Sequence, residues 1–311
     1  MITKVSVIIP TLNRGHTLGK TLASVQRQTH QNWECLIIDD GSTDDTENTI
    51  QRFLNDERFK FIKRKNSQIR GAASCRNIGL ELATGDCIQF LDSDDILEKH
   101  KFQRQLAISS SNSTILTSKW GKIVFKNGGE QISLYENLPT YRNFNNPQEL
   151  FKTYAHRFCY LPIHSFLIPK KLIDSSRWNE QLTVNDDGDF ISRIVLKSDK
   201  ILFCEDTFVL YRRGAGNRLS KSLETPKAYE KFILSWKIME NNLGKNHLLV
   251  RIAKRDLYNQ ISSKYPKLLQ NEKAFFADAM PKWEYKLRAH LSKVLDKFQV
   301  KLVSIRENDI V

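Results

Sequence analysis

The sequence predicts an α/β fold: a mostly parallel central sheet flanked by helices, with a helical C-terminal extension. Three observations predict it. Short β-branched runs alternate with segments of helical period over roughly the first hundred residues, the mark of repeated strand–helix–strand units. Polar clusters follow those runs directly, at Thr11-Leu12-Asn13-Arg14, Asp39-Asp40 and Asp92-Ser93-Asp94-Asp95. Parallel sheets bind ligands at these carboxyl ends of their strands. From residue 226 onward, the apolar spacing is helical almost throughout.

In chain order, residues 5–10 (VSVIIP) read as a first strand ended by proline. Leu18, Leu22 and Val25 then recur at helical spacing. Residues 35–38 (CLII) make a second buried strand, ended by Asp39, Asp40 and Gly41. Ser42 and Thr43 are placed to cap the next helix, whose inner face carries Ile50, Phe53 and Leu54. Residues 59–62 read as a third strand, 72–83 as a helix and 87–91 as a fourth strand. In the middle, 123–125 and 131–134 flank Asn127-Gly128-Gly129, a hairpin signal. A loop over 139–147 and a short helix over 148–154 follow. Phe190, Ile191, Ile194 and Val195 mark another helix, and 201–203 and 208–211 two more strands. The C-terminal helices break near Gly244, Pro266 and Pro281.

The chain of 311 residues is long enough to bury a core without covalent staples. With 40% hydrophobic and 27% charged residues, it is not a disordered, collagenous or coiled-coil chain. No apolar run approaches the ~18 residues that span a bilayer. The opening segment is too short for a signal peptide, so a cytoplasmic setting is expected. Five cysteines (Cys35, Cys75, Cys87, Cys159 and Cys204) form no C-x-x-C pair and read as reduced thiols rather than a zinc site. The net charge of +13 favours anionic partners: nucleotides, phospholipid head groups or nucleic acid. Residues 226–311 hold 17 basic against 9 acidic residues, and residues 1–225 hold 31 against 26, so the surplus is concentrated at the end. There Lys286, Arg288, Lys293, Lys297 and Lys301 interleave with Leu287, Leu291, Val294, Leu295 and Phe298. That pattern suits a basic helix lying on a membrane surface. It equally suits an ordinary surface helix with its apolar face on the core, the reading preferred from sequence.

Asp92 and Asp94 stand two residues apart at a strand end, where two carboxylates can share one Mg²⁺ or Mn²⁺. An isolated pair of this kind is more often a turn or a cap. Here it follows Gly71-Ala72-Ala73-Ser74-Cys75-Arg76-Asn77-Ile78-Gly79-Leu80 and Ala83-Thr84-Gly85-Asp86. Further upstream stand Val5-Ser6-Val7-Ile8-Ile9-Pro10-Thr11-Leu12-Asn13-Arg14 and Ile37-Ile38-Asp39-Asp40-Gly41-Ser42-Thr43-Asp44. Together these resemble the family 2 glycosyltransferases, inverting enzymes of the GT-A (nucleotide-diphospho-sugar transferase) fold. The resemblance is clear over residues 4–97 and fainter over 178–213.

The resemblance implies a GT-A domain over 1–225, with a nucleotide-binding half (1–105) and an acceptor-binding half (106–225), followed by a helical region over 226–311. It implies transfer of a sugar from a nucleotide-sugar, UDP-linked by preference, to a hydroxyl of a glycan, lipid-linked glycan or protein. A divalent cation, Mn²⁺ or Mg²⁺, would assist. Pro10, Thr11, Asn13 and Arg14 would line the nucleotide pocket, and Gly71 would run beside it. Asp40 would accept the N3–H of uracil, a role for which a carboxylate is a pure acceptor. Asp39 would cap the turn. Arg76 would either neutralise charge near the diphosphate or tie its loop to a carboxylate. Asp92 and Ser93 would face the ribose and Asp94 the cation, with Asp95 capping the next helix.

A second cluster, Val184-Asn185-Asp186-Asp187-Gly188-Asp189-Phe190 with Arg193, resembles the family's Glu-Asp pair before a helix. Asp187 would then be the general base, with Asp186 in the place of the usual Glu, a departure that leaves open which of the two adjacent acids is the base. Acids here would also favour the helix dipole without any chemistry. His164 falls where the acceptor half approaches the donor, and is read as a structural histidine. Arg212, Arg213 and Arg218, around Gly214 and Gly216, look like the segment that closes over the diphosphate in many relatives, or like a solvated loop. Trp120, Trp178, Trp236 and Trp283 are candidates for sugar platforms, with core packing the default.

Three rival readings fare worse. A basic nucleic-acid-binding module would use the charge surplus, but no zinc-finger or RNP-like motif is present, so no nucleic acid partner is expected. A nucleotidyl transferase would want a Gly-rich loop after the first strand, where only Gly15 stands. A dinucleotide dehydrogenase lacks its G-x-G-x-x-G.

Overall fold

The computed structural model describes residues 3–109, 111–126, 129–157, 159–213, 225–299 and 301–305. Its first part runs β1 (Val5–Thr11), α1 (Gly15–Gln26), β2 (Trp33–Asp39), α2 (Thr46–Gln51), β3 (Phe59–Lys63), α3 (Ala72–Leu82) and β4 (Cys87–Phe90). β1, β2, β3 and β4 are parallel, and β1 lies between β2 and β4. A short strand, β8 (Ile168–Pro169), pairs antiparallel with β4 at one edge. β1 and β2 are buried at every position, as strands covered on both faces must be. α3 lies directly on β1: a Cβ on Gly79 would come 2.4 Å from Ile8 Cγ2, so only glycine allows this approach. Because the four long strands run the same way, Thr11, Asp39, Lys63 and Phe90 all end on one side, and their loops converge there.

A second sheet of mixed direction stands beside the first. It contains β5 (Ile96–Leu97), β6 (Thr114–Lys126), β7 (Gly129–Glu136), β9 (Lys200–Arg213) and β10 (Lys301–Ile305), in the order β10-β7-β6-β9-β5. The hairpin of β6 and β7 pairs Ile123 with Ile132, while Asn127 and Gly128 lie outside the described residues. The two strands expected over 201–203 and 208–211 are one strand, β9. Its parallel pairing with β6 jumps from Cys204 to Phe208. The residues between bulge out, and Thr207 donates to the buried Glu98 carboxylate at 2.9 Å, so the strand bends without ending. Arg212 and Arg213 belong to β9; Gly214, Gly216 and Arg218 lie outside the described residues. One core joins both sheets to α7 (Asp186–Val195), through Phe90, Trp178 and Phe190.

Local chemistry departs from expectation at the second loop. Ser42 and Thr43 do not cap α2, which begins at Thr46 after Asp45. Instead Ser42 donates to Asp39 and accepts the Asn13 N–H, and the Thr43 N–H donates to Asn13 Oδ1 at 2.8 Å. These bonds stitch the tip of β1 to the tip of β2, satisfying backbone groups that a loop at a sheet edge would otherwise leave unpaired. Phe53 and Leu54 lie past the end of α2 but still pack on the core.

The C-terminal part is helical up to β10: α8 (Pro226–Leu243), α9 (Leu248–Ile261), α10 (Pro266–Asn271), α11 (Lys273–Phe276) and α12 (Lys282–Gln299). It has its own core of Tyr229, Ile233, Leu257, Ile261, Leu268, Phe275 and Phe276. Buried Lys254 is held between Glu240 and Asp278, at 2.7 Å from each, over the Phe275 ring. α8 packs on α7, where Asn242 donates to Asp189 at 2.8 Å. α12 does not turn Trp283, Leu287 and Leu291 inward. Trp283, Leu287 and Leu291 are 70%, 52% and 51% exposed, and Tyr285, Arg288 and Ser292 face the protein. The side chains of Lys293, Val294, Leu295, Lys297, Phe298 and Lys301 lie outside the description. Among the described residues, no helix is long and apolar enough to cross a membrane.

Candidate active site

The loops after β1, β2 and β4, with the starts of α3 and α7, bring the acids of the sequence into one region. At the β1 tip, Thr11 is buried and its hydroxyl has no hydrogen-bond partner. Such a buried orphan oxygen suits a bound ligand. Asn13 holds a left-handed backbone (φ 52°), which an Asn tolerates well, and Pro10 is buried in β1 just before Thr11. Arg14 begins the turn into α1, its N–H bonded to Thr46 Oγ1 at 2.8 Å.

After β2 the two aspartates separate in role. Asp39 accepts the N–H groups of Gly41 and Ser42 and the Ser42 hydroxyl, so it holds the turn. Asp40, buried, accepts from Arg64 Nε and from the Gly71 N–H at 3.0 Å. Gly71 can offer that N–H because its φ is 129°, a conformation open to glycine. Arg64 in turn donates to the carbonyls of Lys65 and Gln68, both at 2.7 Å. No motif marked Arg64; it lies in a basic run, and only the fold brings it to Asp40.

After β4, Ser93 is buried and its carbonyl accepts from Thr17 at 3.2 Å. Asp92 Oδ1 accepts from Arg76 Nη2 at 2.8 Å. Arg76 Nη1 donates to Asp186 Oδ2, also at 2.8 Å. The guanidinium is buried and stacked on Trp178, 4.3 Å from the ring centroid. Arg76 therefore ties the end of β4 to the start of α7. Burial works against its charge, but Asp92 and Asp186 more than restore it and raise its pKa.

Asp94 has no side-chain donor on its carboxylate among the described residues. Burial, then the neighbouring Asp92 charge, raise its pKa, while Arg14 and Arg212 oppose the rise. Arg212 donates from Nε to the Asp94 carbonyl at 2.9 Å and from Nη1 to Glu130 at 2.6 Å, which fixes it within the wall of the site. The charge of Asp92 presses on the Asp94 carboxyl, and a cation there would relieve the repulsion. One or two carboxylate ligands, the rest coming from a diphosphate, suit Mg²⁺ or Mn²⁺. Asp95 instead turns inward, fully buried, with Oδ2 3.1 Å from His164 Nδ1. Burial drives both towards their neutral forms: Asp95 upward, His164 down to about 4. His164 is thus a core histidine.

At the start of α7 the three acids differ sharply. Asp186 is taken by Arg76. Asp189 is buried and taken by Arg193 and Asn242. Among the described residues, Asp187 accepts the adjacent Gly188 N–H, at 2.8 Å, and the residue is exposed. Desolvation of its carboxyl group by the surrounding protein, then the Asp186 charge, raise its pKa to about 6, while the Gly188 N–H and Arg76 work against the rise. Tyr160, which the sequence did not single out, is 47% exposed, rests on Trp120 (centroids 5.3 Å apart) and lies within the field of Asp187 and Arg213. Trp120 and Trp178 are core, Trp236 is half-buried in the C-terminal core and Trp283 is exposed.

A region of buried cations clamping acids at strand ends, with one unpaired acid on each side, can hold a phosphorylated ligand and take a proton next to it. The sequence profile of the family described as Glycosyl transferase family 2 matches residues 6–219. A GalNAc(5)-diNAcBac-PP-undecaprenol beta-1,3-glucosyltransferase from Campylobacter jejuni is 26% identical over 88% of this chain and 86% of its own. The Escherichia coli WfgD, a UDP-Glc:alpha-D-GlcNAc-diphosphoundecaprenol beta-1,3-glucosyltransferase, is 40% identical over 35% of this chain and 42% of its own. With an uncharacterized glycosyltransferase of Rickettsia conorii the identity is 44%, over only 18% of that protein's length. Among solved structures, Staphylococcus aureus TarS 1-349 in complex with UDP-GlcNAc superposes with a TM-score of 0.61 at 20% identity, covering 94% of this chain and 88% of that one. The mannosyltransferase PcManGT from Pyrobaculum calidifontis, in complex with GDP-Man and Mn²⁺, gives 0.55 at 12% identity, covering 96% and 88%.

Proposed function

The chain belongs to glycosyl transferase family 2, and on that premise we propose that it moves a sugar from a UDP-sugar to a hydroxyl of a glycan, lipid-linked glycan or protein, with inversion at the anomeric carbon. Residues 1–225 form the transferase and 226–311 a helical appendage that keeps it near an anionic membrane. The observation that carries the reading is the Arg76 bridge, which sets the donor-side pair Asp92 and Asp94 against the acceptor-side acids Asp186 and Asp187.

Pro10, Thr11, Asn13 and Arg14 line the nucleotide on one side and Gly71 on another. Asp40, oriented by Arg64, keeps a lone pair for the uracil N3–H. Asp92 and Ser93 face the ribose. Asp94 would hold Mn²⁺ or Mg²⁺, which supplies positive charge for the departing diphosphate. Asp187 accepts the acceptor's hydroxyl proton as that oxygen bonds to the anomeric carbon and the bond to the diphosphate breaks on the opposite face. A pKa of about 6 leaves Asp187 ionised at neutral pH, yet a better base than an unshifted aspartate. Arg76 positions both sides and touches neither reacting atom. Tyr160, on its Trp120 support, offers a ring face to the acceptor sugar.

Thermal stability with UDP, GDP and dTDP, with and without Mn²⁺, tests the donor and cation together. UDP with Mn²⁺ at a hundred times its Kd is expected to add about 2.7 kcal/mol, with the metal increment lost in Asp94→Ala. No shift with any nucleotide would overturn the reading; a shift with GDP alone would overturn the role of Asp40, and a shift with dTDP alone would overturn the UDP preference.

A further inference from the structure

The outward face of α12 carries two stripes. At about 100° per residue, Trp283, Leu287 and Leu291 fall within an arc of about 80°. Lys282, Lys286 and His290 fill the neighbouring arc of about 80°, and all six are exposed. Among the described side chains, several on its other faces are engaged. Tyr285 donates to Asp256 at 2.5 Å, Arg288 bonds Glu284 and reaches His156, and Ser292 is buried. α12 is thus anchored on α5 (Glu149–Arg157) and α9, with its apolar stripe turned to water.

We propose that this face docks on the surface of an anionic phospholipid bilayer, α12 lying in the plane with Trp283, Leu287 and Leu291 in the boundary between head groups and acyl chains. The proposal sharpens the membrane proximity suggested above, resting on that reading for its purpose but on α12 for its evidence. Charge decides the occupant. A lysine stripe beside an apolar one fits negative head groups above hydrocarbon, and an indole ring is at home at that boundary. A second copy docking antiparallel by the same face would bring lysine stripes together and repel itself. The helix is not apolar enough to span, so the contact is peripheral.

Flotation with vesicles tests this on the full chain. Binding to phosphatidylglycerol vesicles is expected to exceed binding to phosphatidylcholine vesicles by about ten-fold or more, and to fall with salt. Leu287→Ser with Leu291→Ser, and separately Lys282→Glu with Lys286→Glu, should each weaken it about ten-fold or more. Melting temperature should be unchanged in both pairs, since every position is exposed. In Trp283→Phe, the blue shift of tryptophan emission on binding should disappear. Absence of binding to anionic vesicles, or binding that neither pair alters, would overturn the proposal. So would a concentration-dependent dimer dissolved by the leucine pair, which would assign the face to a second copy. UDP binding measured on the same samples separates the two readings. A chain that binds vesicles but no nucleotide refutes the transferase and keeps the docking face, and the reverse refutes the docking face alone.

Discussion

At the scale of single residues, the acids are sorted by their cations. Asp186 and Asp189 are spent on arginines, and Asp187 is left with one backbone N–H. Its raised proton affinity has two consequences. As the proposed base it must be ionised, so kcat/KM is expected to fall about ten-fold per unit of pH below about 6. As a carboxylate whose folded pKa is raised, it makes the fold less stable as pH climbs from its unfolded value through about 6. Asp187→Asn is therefore expected to lower kcat by about 10²- to 10⁴-fold while leaving Tm at pH 7 equal or higher. A melting curve and a turnover assay on one preparation check both, and a marked fall in Tm would show a structural acid instead. Motif and order were enough to single out Asp92, Asp94 and Asp187 as candidates. Their partners could not be singled out this way. Arg76 meets Asp186 across 110 positions of sequence, and Arg64 meets Asp40 across 24. Pairing at such distance is decided by how the sheet packs, and no local spacing records it.

At the scale of elements, the parallel strands were legible because each is a short apolar run with no competing period. The second sheet was not, because its pairings are long-range: β6 runs beside β9 some 86 positions later, and β10 returns to β7 from the far end of the chain. The bulge in β9 looks in sequence like a gap between two strands. The closest helix–strand contact yields a test. Gly79→Ala would drive a methyl into Ile8 Cγ2 and push α3 off β1. A loss of about 1–3 kcal/mol in urea unfolding is expected, as for overpacked cores. α3 also carries Arg76, so UDP affinity should fall in the same variant.

At the scale of the whole molecule, stability and chemistry occupy opposite ends of the strands of the first sheet. Glu34, near the start of β2, is buried and accepts from Ser6, from the Thr84 N–H and hydroxyl, and from Lys60, all at 2.7–2.8 Å. Burial alone would raise its pKa; Lys60 and the other donors overcome that and hold it at about 2. The stabilisation is complete above its unfolded value of 4.5, is lost as pH falls through about 2, and amounts to about 3 kcal/mol. Glu34→Gln should lose about that much at pH 7, with the gap to wild type closing near pH 2 in a denaturant titration.

The length of β2 has a consequence for the enzyme in acid. Glu34 and the loop that begins at Asp40 lie at opposite ends of a strand of seven residues, about 20 Å apart. That is more than twice the distance over which salt at physiological strength lets charges feel one another, about 8 Å. The two ends therefore titrate as strangers. Between about pH 4.5 and 6 the proposed base, Asp187, is filling with protons while the Glu34 knot is still fully tied. The protein should spend that interval folded and idle, and neutralisation should return it to work without refolding.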